Sequence, residues 1–94
     1  MHKFNIKSMA KLDTPERRQL LPADKILASF GLGPGDIVAD IGCGIGYFSL
    51  PAAALVGPAG KVLAMDIAGE MLAEVRTRAR EYGRENIETI KIDE

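Results

Sequence analysis

Three glycines, Gly42, Gly44 and Gly46, alternate with other residues in the stretch VADIGCGIG (38–46). An aspartate, Asp40, stands two residues before them, and a second, Asp66, follows twenty residues after Gly46. Glycine lets the main chain take positive φ and lets a ligand approach the backbone closely. A helix start beyond such a loop offers free N–H groups and partial positive charge. The spacing narrows the ligand. A dinucleotide fingerprint, G-x-G-x-x-G, needs a third glycine where Tyr47 stands, and a phosphate loop needs a Gly-Lys-Ser/Thr ending that is absent. The carboxylate of Asp40 repels a pyrophosphate and suits a ligand carrying an ammonium group. Asp66 can accept hydrogen bonds from both hydroxyls of a ribose. It can also cap the helix that follows, and the two roles are compatible. The competing reading is a tight strand-to-helix turn that holds nothing.

The other chemically capable residues are weaker candidates. Cys43 reads as a small residue filling a tight loop, because no paired base accompanies it as a nucleophile would need. Tyr47 fits either covering a ligand or packing at the helix start. His2 has no second metal ligand nearby. Arg76, Arg78, Arg80 and Arg84 are interleaved with Glu74, Glu81 and Glu85, which reads as a solvated helix face rather than a phosphate-binding patch.

Elements of a definite order must position the loop. Residues 1–13 show no clear period and read as an arm. Thr14-Pro15-Glu16 starts a helix that Pro22 interrupts, and a second helix runs over Ala23–Phe30 to Gly31. After the turn cluster at 32–36, Ile37–Ile41 is a short apolar run typical of a strand buried on both faces. A helix follows over Tyr47–Val56, in whose first turn Pro51 sacrifices no hydrogen bond. Lys61–Ile67 gives a second strand. A helix over Glu70–Tyr82 puts Leu72, Val75, Ala79 and Tyr82 on one face. Glu88–Asp93 gives a third strand. Strands alternating with helices mean an α/β fold: a Rossmann-like parallel sheet with helices on both faces, built as β-α-β-α-β after N-terminal helices. Ligands of such sheets bind at the carboxyl ends of the strands, where VADIGCGIG lies.

The 94 residues make one small domain, and 47% hydrophobic with 27% charged content is that of an ordinary globular chain. A net charge of −1 gives no global field for nucleic acid or an anionic membrane. The longest weakly polar run is broken by Pro51 and Gly57-Pro58, too short to span a bilayer. One cysteine forms no internal disulfide and suits a cytoplasmic location.

The segments VADIGCGIG, KVLAMDIAGEML (61–72) and NIETIKIDE (86–94), in this order and spacing, closely resemble the N-terminal half of class I S-adenosylmethionine-dependent methyltransferases. The resemblance covers 37–94 and extends more loosely into KLDTPERRQLLP (11–22), similar to the leader of small bacterial and archaeal methyltransferases. It implies S-adenosylmethionine as cofactor and methyl transfer by in-line displacement to an unassigned acceptor. Gly42, Cys43, Gly44 and Gly46 would run beside the cofactor, and Asp40 would help hold its methionyl end. Asp66 would bind the ribose hydroxyls, Ile67 and Met71 would pack against adenine (core packing is the alternative for Met71), and Asp93 matches a position that contacts the adenine amino group.

It also implies a boundary near residue 35, with an arm and helices over 1–35 and the cofactor-binding half over 36–94. Such a half holds one wall of the cofactor crevice, which predicts weak binding and no activity alone. Its first strand, Ile37–Ile41, would be an open apolar edge through which the chain pairs with a second copy. A dehydrogenase half that binds NAD and a non-catalytic interaction module on the same fold are the other readings.

Overall fold

The computed structural model describes residues 3–5 and 22–93. The elements are β1 (Lys3–Asn5), α1 (Ala23–Ser29), β2 (Ile37–Ile41), α2 (Ser49–Val56), β3 (Lys61–Asp66), α3 (Gly69–Glu81) and β4 (Ile87–Lys91). The strands form one parallel sheet in the order β1-β2-β3-β4. The three strands and three helices expected from Ala23 onward are all present, in the Rossmann-like arrangement. The helix expected at Thr14 lies outside the described residues.

β-Branched residues suit the pleated strands, and alternation decides which face each side chain meets. Val38 and Asp40 of β2, with Val62 and Ala64 of β3, are buried on one face. Leu27 of α1 and Ala52, Ala53 and Val56 of α2 pack with Val38 and Val62. Leu72 and Val75 of α3 pack with Ala64 and Cys43. The described helices therefore cover this one face, and Ile37, Ala39, Ile41, Leu63 and Met65 opposite are half-buried. Tyr82 departs from the expected α3 face. It lies just past the last helical turn and is 59% exposed, while Leu72, Val75 and Ala79 are buried as expected.

Tight main-chain contacts fix the helix ends that aim the loop. Gly35 N–H donates to the Val56 carbonyl and Lys61 N–H to the Asp36 carbonyl. A Cβ on Gly60 would stand 2.5 Å from Asp36 O and from Val56 Cβ, so only glycine fits there. Asn86 Nδ2 donates to the carbonyls of Ala53 and Gly57, at 2.9 and 2.8 Å, tying the entry of β4 to the end of α2. α2 begins at Ser49 rather than Tyr47, because Gly46 holds φ +96° and the chain turns before the helix is established. Pro51 falls in its first turn, where its missing N–H leaves no gap.

The N-terminal residues correct an expectation. Lys3–Asn5, read as part of an arm, form a strand that pairs in parallel with Ile37, Val38 and Ala39. The outer edge of β2 is thus occupied over three of its five residues. The expected open edge is not open there, and the expected homo-oligomer through that first strand loses the unpaired N–H and C=O groups it needed.

Candidate functional site

The site is built where β2 and β3 end. Gly42 N–H and Cys43 N–H both donate to the Met65 carbonyl, at 2.7 and 3.0 Å, so the chain stays against β3 before it turns. Gly42, Gly44 and Gly46 then take φ of +74°, +56° and +96°, the left-handed region open to glycine at little cost. This alternation folds the loop back on itself: Gly46 N–H donates to the Cys43 carbonyl, and Leu50 N–H to the Gly46 carbonyl.

Asp66 joins the two loops. Its Oδ2 accepts from Gly44 N–H at 3.0 Å and its Oδ1 from Ala68 N–H at 2.9 Å. The second bond ties down the entry to α3, close to the capping role read from the sequence, although Ala68 itself is the cap residue. An ionised carboxylate has about four acceptor positions, so two remain for further donors. Asp66 is half-buried rather than sealed. Beside it Ile67 is 50% and Met71 37% exposed, large apolar side chains left on the surface at the carboxyl end of the sheet. Met71 is therefore not core. Ile92 N–H donates to the Asp66 carbonyl, which brings the exposed Asp93 to the same end.

Asp40 lies beneath the loop, buried on the helix-covered face of the sheet. Ser49 Oγ, in the first turn of α2, donates to its Oδ2 at 2.6 Å, a short charge-assisted bond. Sequence reading missed Ser49; the available signal was a hydroxyl at a helix start nine residues after a strand aspartate. Cys43 is buried in the loop, and its thiol donates to the Gly44 carbonyl at 3.4 Å. Burial first, then the charges of Asp40 and Asp66, push that thiol up to about 12. A thiol so strongly protonated is no nucleophile at neutral pH, as its sequence context suggested. Tyr47 packs edge-on to Phe48, with ring centres 5.1 Å apart.

This arrangement can hold a ligand that hydroxyl groups attach to a carboxylate and a flat apolar part attaches to Ile67 and Met71. Among the described residues no group of three His, Cys, Asp or Glu side chains could hold a metal ion. No described helix is long and apolar enough to cross a membrane. A groove of about 550 Å³, lined among others by Gly57, Gly60, Lys61, Arg84, Glu85 and Asn86, lies at the opposite end of the sheet.

The methyltransferase-domain family matches residues 38–93, from the second residue of β2 to Asp93. The chain belongs to that family. This methyltransferase domain is 46% identical over 59 residues to an aklanonic acid methyltransferase from a Streptomyces species, covering 63% of the chain and 27% of that protein. It is 37% identical over 57 residues to an arsenite methyltransferase of Halobacterium salinarum, covering 61% and 15%. Among solved structures it resembles a SAM-dependent methyltransferase from Aquifex aeolicus, with TM-score 0.78 and 36% identity over 93% of the chain and 46% of that protein. The chain thus spans less than half the length of each of these relatives. The matched segment of the methyltransferase domain contains every residue brought together above.

Proposed function

We propose that the chain is the cofactor-holding part of an S-adenosylmethionine-dependent methyltransferase. The observation that carries this reading is Asp66, a half-buried carboxylate hydrogen-bonded to the glycine loop and flanked by the exposed Ile67 and Met71. The donor set fits an adenosyl ligand: acceptor positions on Asp66 for ribose hydroxyls and an apolar shelf for the base. Close main-chain approach over Gly42–Gly44, with the buried charge of Asp40 beneath, suits the methionyl end and its ammonium group. Gly46 sets the turn into α2, and the exposed Asp93 would meet the adenine edge. S-adenosylmethionine would supply an already activated methyl group on its sulfonium.

The residues of this chain bind and orient; none of them is required to act as acid or base. The catalytic gain from such a site is alignment and exclusion of water. In this reading residues 36–94 hold the cofactor and residues 1–35 lead into them, contributing β1 to the sheet edge. The methyl acceptor is recognised by residues outside the set described above, and the location is cytoplasmic. Calorimetric titration with S-adenosylhomocysteine, with NAD as control, tests the reading. Saturable heat with the first and none with the second is expected. Heat with NAD alone would replace this reading with the dehydrogenase alternative.

A further inference from the structure

Arginines and glutamates that alternate in sequence are sorted in space. At 100° per residue, Glu70, Glu74 and Glu81 lie roughly 80–160° around α3 from Arg76 and Arg80. Arg78 belongs with the acids, its Nε 2.9 Å from Glu74 Oε1. Arg76, Arg80 and Arg84 line a single groove of about 220 Å³ between α3 and β4, with Ala79, Ile87 and Thr89. The end of α3 brings the third arginine back to the other two. Gly83 takes φ +67° and its N–H donates to the Arg80 carbonyl, while Arg84 N–H donates to the Ala79 carbonyl at 2.8 Å. These two bonds turn the chain back over the last helical turn, so Arg84 starts next to Ala79, which lines the same groove. Arg76 Nη1 donates to Thr89 Oγ1 at 2.8 Å, which holds that guanidinium at the groove. Arg84 Nη1 donates to the Tyr82 carbonyl, and its Nε is buried with no hydrogen-bond partner. Arg80 is exposed, and among the described residues no carboxylate pairs with any of the three. Glu88, next to Thr89 on β4, points to the opposite face and pairs with Lys61 at 3.6 Å.

Three arginines around one small space repel one another, and no carboxylate lines the groove to offset that. The dipole of α3 favours cations in its last turn, which accounts for Arg78 and Arg80 but not for Arg76 before it. The occupant follows from the donors, the volume and the missing counter-charge. Guanidinium forks match the oxygens of a phosphoryl group. Such a group brings three acceptor oxygens and a charge of about −1.5 to −2 at neutral pH, more than one carboxylate offers three cations. Thr89 Oγ1, which accepts from Arg76, still has its own proton to donate. The groove's volume lies below the roughly 300–1,000 Å³ of clefts that enclose a drug-sized ligand, so it suits an ion-sized group. We propose that the α3–β4 groove is a phosphoryl-binding site, holding inorganic phosphate or the phosphate of a small monoester on Arg76, Arg80 and Arg84. The proposal stands apart from the cofactor reading: S-adenosylmethionine carries no phosphate, and none of the residues assigned to it lines the groove.

The test is calorimetric titration of the full chain, without cofactor, with inorganic phosphate at low salt, and with sodium chloride of matched ionic strength as control. Saturable binding of phosphate in the millimolar range or tighter, and none of chloride, is expected. A repeat with glycerol 3-phosphate separates the two sources. Tighter binding than inorganic phosphate assigns the site to a monoester, and equal or weaker binding assigns it to the free ion. Arg80→Gln removes an exposed guanidinium that pairs with no carboxylate, and should weaken binding about tenfold or more, the scale of one lost hydrogen bond to a charged group. Arg80→Lys keeps the charge but loses the fork, and should fall between that variant and wild type. Arg78→Gln makes the same change of charge on the same helix but outside the groove, and should bind like wild type. Affinity should rise with pH through about 6, where phosphate takes its second charge. No saturable binding at low salt, Arg80→Gln binding like wild type, or Arg78→Gln losing as much affinity as Arg80→Gln would each overturn it.

Discussion

Gly44 and Asp66, 22 residues apart in sequence, are joined by a hydrogen bond of 3.0 Å from the loop N–H to the carboxylate. The same side chain holds Ala68 N–H, so one carboxylate fixes both loops at the carboxyl ends of β2 and β3. The ligand site and the local fold therefore rest on the same group. Asp66→Ala should lower stability by about 1–3 kcal/mol, because two main-chain donors lose a charged partner. It should also abolish measurable S-adenosylhomocysteine binding. Denaturation and calorimetry on the same variant check both effects, and Asp66→Asn should fall between the two.

Ser49→Ala removes a hydroxyl that donates to Oδ2 of the buried Asp40. A buried acceptor left short of a donor costs about 1–3 kcal/mol. The urea midpoint should fall with the slope unchanged, since the surface exposed on unfolding is the same.

Cys43 predicts a pH dependence. Its thiol is raised in the folded state to about 12 by burial and by Asp40 and Asp66. The unfolded chain loses this proton first as pH rises, so the folded state binds more protons and stability falls with pH. The contribution is complete below the ordinary thiol pKa and is lost as pH rises toward about 12. Cys43→Ala should flatten that alkaline decline, read from denaturation midpoints at successive pH values. Folded wild type should also resist alkylation at neutral pH, with the rate rising only on unfolding.

Gly60→Ala places a methyl 2.5 Å from Asp36 O and Val56 Cβ, where neither main chain nor core can yield cheaply. A loss of about 1–3 kcal/mol or more follows from overpacking. Because Gly60 lies at the opposite end of β3 from the glycine loop, cofactor affinity of the folded fraction should be unchanged. A thermal melt and a titration separate the two.

The loop and its two strands were legible in the sequence because their signals are local. Alternating glycines after a β-branched run, with an aspartate after the next such run, describe a strand end without reference to distant residues. β1 was not legible. Three residues, Lys3–Asn5, carry no period, and their pairing with Ile37–Ala39 is a contact across more than thirty residues. Tyr82 was misplaced because a helical period extrapolates past the true helix end at Glu81. The angular sorting of the α3 charges was not legible for a related reason. Interleaving in sequence becomes separation by angle once the helix packs, so Arg76 and Arg80 face β4 while Glu74 and Glu81 face away.

The central claim is that the Gly44–Asp66 junction holds an adenosyl group. Amide NMR of the chain titrated with S-adenosylhomocysteine tests it residue by residue. The account predicts saturable shifts confined to Gly42–Gly46, Asp66–Met71 and Asp93, all lost in Asp66→Ala. Shifts centred instead on Gly57, Gly60 and Asn86 at the far end of the sheet, or shifts at the loop that persist in Asp66→Ala, would contradict it.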